Sequence, residues 1–170
     1  TEESFLCQTP PGLIAARGAI QARFLWGGLS PVLNKGWLRW QGITHVLNCI
    51  GQSSPLYARI LSARADDDGI NYIDWCPNSI SQRTRFLPVF TKLEKVLKTP
   101  SEGLYVHGRS GKDRSAITIF ALLQVRFSST EEEAHDALQT RVGVDGRPLA
   151  NLSKGQEDIL GWLARVITVP

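Results

Sequence analysis

LYVHGRSGKDRSA, residues 104–116, is the stretch on which the reading of this chain turns. Leu104–Val106 is a short apolar run of strand-forming residues, and a polar segment with two glycines, Gly108 and Gly111, follows it. Arg114 and Ser115 close that segment, and Ala116–Val125 continues as a nearly all-apolar run of helical length. A strand, a glycine loop and a helix in that order place residues 107–115 at the carboxyl end of a buried strand and the amino end of a central helix. Ligand sites of open α/β sheets form at such ends. Backbone N–H groups of a tight loop converge there, and the helix terminus adds partial positive charge, so the preferred guest is an anion. Gly111 lets the loop turn closely. Arg114 can fork two donors onto an oxyanion, Arg109 and Lys112 add positive charge, and Asp113 subtracts some. The plainer alternative is a surface connection with incidental basic residues. The ordered arrival of strand, histidine, glycine, arginine, serine and helix argues against it.

Outward from this segment the chain alternates between strand and helix patterns. Arg23–Trp26 is a short strand closed by Gly27-Gly28. Ser30-Pro31 reads as an N-cap and first-turn proline, opening a helix to Trp40 that Gly42 stops. Thr44–Ile50 (THVLNCI) is a buried strand, Leu56–Ala65 a helix, Asp66–Gly69 a solvated turn, and Asn71–Trp75 another strand. Phe86, Val89, Phe90, Leu93, Val96 and Leu97 form one helical stripe. Ser129-Thr130-Glu131-Glu132 reads as a capping box opening a helix to about Arg141. Gly143–Leu149 is a loop, and Ser153 caps a last helix with Ile159, Leu160, Leu163, Val166 and Ile167 on its stripe. The pattern predicts one α/β domain over residues 1–170, with residues 1–20 irregular. Its central sheet is mostly parallel, with four to five strands and helices on both faces.

A chain of 170 residues is long enough for one core. Hydrophobic residues make up 42% and charged residues 21%, as in ordinary globular proteins. A net charge of +3 without a basic stripe argues against nucleic-acid binding. No run approaches the roughly 18 apolar residues of a bilayer span. The acidic N-terminus TEESFLCQTPPG is not a signal peptide. The chain contains no Met, even at position 1, which leads us to expect a trimmed terminus that has lost any targeting signal. Cys7, Cys49 and Cys76 are odd in number and widely spaced, so reduced thiols and an intracellular, cytoplasmic or nuclear location are expected, with no metal site. His45 and His135 carry no functional signal. Trp75 is the tryptophan nearest the site in sequence.

The segment 107–115 resembles the signature of the protein tyrosine phosphatase superfamily: histidine, cysteine, five residues, arginine, then serine or threonine. His107, the five residues Arg109, Ser110, Gly111, Lys112 and Asp113, and then Arg114 and Ser115 fit it; Gly108 stands in the cysteine's place. RFLWGGLSPVLNKGWLRWQGITHVLNCIG is similar to the opening of the compact dual-specificity phosphatases, and SSTEEEAHDALQTRVG with RPLANLSKGQEDILGWL to their closing helices. The resemblance implies that His107 is structural and that residues 107–115 hold a phosphate. It also implies that the nucleophile is lost at Gly108, because a cysteine thiolate forms the covalent phosphate in this family and glycine has no side chain. Ser115 is no substitute, since the equivalent hydroxyl supports the cysteine.

The family's general acid belongs about 30 residues earlier, near Asp74–Ser79. Asp74 is the one carboxylate there, but its place in the strand pattern is earlier than the acid's, and a polar residue on the exposed side is the plainer reading. Together these features resemble the Ser/Thr/Tyr-interacting type of pseudophosphatase. Such a protein needs no cofactor and binds a phosphorylated protein or small phosphorylated ligand as a monomeric regulator or scaffold with a protein partner. The alternatives are an active protein or phosphoinositide phosphatase carrying a Cys-to-Gly change, and a scaffold with a vestigial cradle. Lys112 would favour a multiply phosphorylated ligand, unless it only pairs with Asp113.

Overall fold

A computed structural model of the chain describes residues 12–14, 18–65, 69–77, 79, 82, 85–109, 114–130 and 132–134. The expected helix to Arg141, the loop Gly143–Leu149 and the helix capped by Ser153 lie outside these residues, as do Asp66–Asp68 and Ser110–Asp113.

Five strands form the sheet: β1 (Gly12–Ile14), β2 (Arg23–Gly27), β3 (His45–Asn48), β4 (Asn71–Asp74) and β5 (Gly103–His107). Their order is β1-β2-β5-β3-β4. Only β1 runs antiparallel to its neighbour; β2 with β5, β5 with β3 and β3 with β4 are parallel. Four α-helices are described: α1 (Lys35–Trp40), α2 (Leu56–Ala65), α3 (Phe86–Leu97) and α4 (Arg114–Arg126). Central β5 is buried along its whole length, as the apolar run Leu104–Val106 requires of a strand covered on both faces.

Side chains alternate between the two faces. On one face Phe24, Trp26, Leu47, Leu104 and Val106 pack with Phe86, Phe90 and Leu93 of α3 and Ile119, Leu122 and Leu123 of α4. On the other, Leu25, Val46 and Tyr105 meet Leu29, Val32, Leu38 and the α2 residues Leu56 and Ile60. The result is a single mostly parallel sheet with helices on both sides. Among the described residues no helix is long and apolar enough to cross a membrane.

Three local expectations are corrected. Residues 12–14 pair with β2 in an antiparallel register, Gly12 opposite Trp26 and Ile14 opposite Phe24, where an irregular terminus was expected. The helix expected from Ser30 to Trp40 is two pieces, a 3-10 turn over Ser30–Leu33 and α1. Ser30 does not cap; Asn34 does, its side chain accepting the Trp37 N–H at 3.1 Å, so the break falls where an Asn can satisfy a helix terminus. The capping box sits one residue later than expected. Thr130 N–H donates to Glu133 Oε1 at 3.0 Å, and Glu133 N–H donates to Thr130 Oγ1 at 3.1 Å.

Gly42 does end α1. Its φ of +78° supports a Schellman closure, with Gly42 N–H donating to Arg39 O at 2.9 Å and Ile43 N–H to Leu38 O at 2.9 Å.

Candidate functional site

The sheet brings Gly27, His107, Asn48 and Asp74 into one row at the carboxyl ends of β2, β5, β3 and β4. The β2–β5 pairing runs on past the strands. Gly108 N–H donates to Gly27 O at 3.1 Å, and Leu29 N–H to Arg109 O at 3.1 Å. The first step of the loop is thus tied to the sheet, and the Gly108 amide is not among the donors open to an anion. Arg109 is exposed, Arg114 opens α4, and Ser110, Gly111, Lys112 and Asp113 lie outside the described residues.

The polar side chains of His107 and Ser115 are fully buried here. His107 Nδ1 lies 3.1 Å from the Gly108 carbonyl, which can only accept, so the proton is on Nδ1 and Nε2 has no hydrogen-bond partner. The ring stacks on Tyr105 with 6.1 Å between centroids. Burial pushes its pKa down to about 4, so the imidazole is neutral at physiological pH. In the first turn of α4, Ser115 is completely buried, and among the described residues its Oγ has no hydrogen-bond partner. A buried orphan hydroxyl costs roughly 1–3 kcal/mol, so its persistence at a helix N-terminus calls for a reason.

Asp74 has a different occupation from the one a proton donor needs. Arg64 of α2 grips its carboxylate with two donors, at 2.6 and 3.0 Å. Asn48 Nδ2 donates at 2.9 Å and the Tyr57 hydroxyl at 3.2 Å. Burial alone would raise its pKa, but these donors outweigh it and hold the carboxyl below its usual range. Asp74 is not a polar residue on the exposed side: its side chain is a half-buried anchor between the sheet and α2, and Arg64 also lies over the Tyr72 ring, 4.8 Å from its centroid.

Cys76 and Ser79 follow β4. There Gln82 acts as a clasp: its Oε1 accepts the Cys76 N–H at 2.8 Å and its carbonyl the Trp75 indole N–H at 2.8 Å. No Asp or Glu lies between Trp75 and Lys92. Cys49 and Cys76 are buried and in no disulfide, Cys49 Sγ being 3.3 Å from Thr118 Oγ1.

These environments predict how stability depends on acidity. His107 has a folded pKa near 4 against about 6.5 unfolded, so the unfolded chain binds the extra proton between those values and stability falls as pH drops through that window. The Asp74 contribution is present above its unfolded pKa and is lost only below about pH 4, as pH falls through its lowered folded value. Asp74→Asn should therefore cost about 2 kcal/mol at pH 7, less than a fully buried pair because the site is partly exposed. The difference from the parent protein should shrink by pH 3. Urea unfolding at both pH values checks this; an unchanged difference would show that the ion pair is not its source.

Sequence reasoning missed Arg64, Tyr57, Gln82, Arg85 and Lys92. The last two had a signal: with Pro88 and Val89 they form a second stripe, at spacing 0, 3, 4 and 7, beside the apolar stripe of α3.

No family model and no curated protein sequence matches the chain. Solved structures do match. Human DUSP28 superposes with a TM-score of 0.65 at 16% identity, covering 94% of this chain and 97% of that one. PTPMT1 gives a TM-score of 0.65 at 16% identity, over 94% of this chain and 96% of that one, and its complex with PI(5)P is similar at a TM-score of 0.58. Human tyrosine phosphatase-like serine/threonine/tyrosine-interacting protein gives 0.60 at 22% identity, over 84% of this chain and 91% of that one. At such identities the likeness is one of fold: the chain has the α/β fold of the dual-specificity, protein tyrosine phosphatase-type proteins.

Proposed function

We propose that this protein is a pseudophosphatase, which binds a phosphate-bearing residue or ligand in the segment 107–115 and does not hydrolyse it. The observation that carries the reading is Gly108. At the end of β5, where this fold family's nucleophile belongs in the sequence signature, the chain offers no side chain, and the backbone N–H of that residue is spent on Gly27.

Three features support retained binding. Apart from Gly108, the signature is intact through Arg114 and Ser115. A helix of 13 residues begins directly after the loop and favours an anion at its N-terminus. The buried Ser115 hydroxyl, without a partner among the described residues, is a further donor beside it. Catalysis is argued against twice, by the missing thiolate and by the commitment of Asp74 to Arg64.

The test has two arms. With an aryl phosphate at pH 6 and protein at high concentration, turnover should not exceed background; activity that copurifies with the chain and vanishes in Arg114→Ala would overturn the assignment. In calorimetry the protein should bind orthophosphate or phenyl phosphate, and Arg114→Ala should weaken that binding about tenfold or more, the scale of a lost bidentate charge-assisted contact. No heat at millimolar ligand would support a scaffold with a vestigial cradle instead.

A further inference from the structure

Beyond the carboxyl end of β4, on the α3 side of the sheet, lies a cleft of about 440 Å³ bordered by Gln52, Trp75, Gln82, Arg85, Val89 and Lys92. Ile73, Trp75, Pro88 and Val89 give it apolar walls. Arg85 and Lys92 are its exposed cations, seven residues apart on one helix stripe and so about 10 Å apart along the axis. Among the described residues Asp74 is the one carboxylate at its border, and that carboxylate is engaged by Arg64, Asn48 and Tyr57 toward α2. The described lining of the cleft is therefore electropositive.

Two of its neutral donors are engaged: the Trp75 indole N–H and the Cys76 N–H both go to Gln82. Among the described residues its charges are two separated points, which suit two separate carboxylates better than a second phosphate. The cleft also lies near the start of the segment 107–115, at His107. Cys49 N–H donates to His107 O at 2.8 Å, and a Cβ on Gly51 would lie 3.6 Å from Cys76 Sγ, so the connections after β5, β3 and β4 follow one another in contact. From β5 to β4 is two strand spacings, about 10 Å, which an extended peptide covers in about three residues.

We propose that this cleft binds the acidic flank of a phosphorylated protein segment, with carboxylates on Arg85 and Lys92 spaced about three residues from the phosphorylated residue and from each other. The assignment rests on the phosphate-binding reading above.

The probes are phosphotyrosine peptides carrying Glu at the third and sixth positions on one side, made in both chain directions, their Gln counterparts, the unphosphorylated Glu peptides, and phenyl phosphate alone. Fluorescence anisotropy at low salt should show one Glu peptide binding about fivefold or more tightly than its Gln counterpart, the scale two exposed ion pairs support. The preference should fade at 0.5 M salt. Arg85→Glu with Lys92→Glu should abolish or reverse it while leaving phenyl phosphate affinity unchanged, and the milder pair Arg85→Gln with Lys92→Gln should remove it without a change in urea midpoint. Equal affinity for Glu and Gln peptides, with phenyl phosphate still bound, would overturn the cleft assignment alone. Failure to bind phenyl phosphate, with the unphosphorylated Glu peptides still held through Arg85 and Lys92, would overturn the phosphate reading and leave an acidic-peptide cleft. Absence of all binding would overturn both.

Discussion

Gly108→Cys is expected to convert the protein into one that traps phosphate as a covalent phosphocysteine and turns over aryl phosphates slowly. The new thiol would sit between β5 and the N-terminus of α4, where a thiolate is favoured, with the buried Ser115 hydroxyl in the first turn of that helix available to support it. The second catalytic group would still be absent. The connection from Trp75 to Lys92 contains no carboxylate, and Asp74 is bound by Arg64 and held ionised, the wrong state for protonating a leaving group. Aryl phosphates, whose leaving groups need little protonation, should be rescued; serine phosphate should remain almost inert. Adding Ser79→Asp should then raise the rate on the poor leaving group by about 10²-fold or more, the usual scale of general acid catalysis. Mass spectrometry detects the phosphoenzyme, and parallel assays on the two substrate types detect the split. Robust serine-phosphate hydrolysis by Gly108→Cys alone would place a working acid in the protein.

Gly103→Ala should destabilise the fold as severely as any single methyl can. A Cβ on Gly103 would stand 2.3 Å from the Gly42 carbonyl oxygen, 3.0 Å from its carbon and 3.2 Å from Ile43 Cα. All three are backbone atoms, and none can swing aside. Gly42 itself is fixed by the Schellman closure of α1, and Thr44 N–H donates to Gly103 O at 2.9 Å, so the approach is clamped from both sides. Overpacking of this kind costs about 3 kcal/mol, which for a chain of this size lowers Tm by roughly 10 °C. Gly69→Ala is the control: φ is +98° but nothing lies within 4 Å, so only conformational strain of about 1 kcal/mol applies. Equal losses in the two variants, by thermal unfolding, would contradict the steric account.

What could be read from the sequence follows the range of the interactions involved. α2 spans Leu56–Ala65 as expected, and α3 buries Phe86, Phe90, Leu93, Val96 and Leu97, because periodicity over ten or more residues is local information. β5 was legible because a strand buried on both faces carries a continuous apolar run, here Leu104–Val106. β1 was not: Gly-Leu-Ile has no pattern of its own and is a strand only because β2 lies beside it. Asp74 shows the same limit at the site. Its partners Arg64, Tyr57 and Asn48 come from an earlier helix and an earlier strand, and no spacing rule links them to it. The strand, loop and helix around residues 107–115 could be read from a contiguous motif; the surroundings of Asp74 could not, because they depend on which face of β4 its side chain occupies.

The place of β5 in the sheet bears on how the chain folds. It is the last of the five described strands to be synthesised, yet it lies between β2 and β3 and joins them. Before it arrives, β1–β2 and β3–β4 are separate two-stranded pairs, each marginal alone. Arg23 meets its partner Gly103 only after the intervening chain has been made. Parallel pairing at that sequence separation carries a large loop-closure entropy, and such topologies fold slowly, on the millisecond-to-second scale. The same step that completes the sheet ties Gly108 and Arg109 to Gly27 and Leu29. On a ribosome, the start of the segment 107–115 is therefore assembled late and together with the core, and any chain that stops short of β5 lacks both.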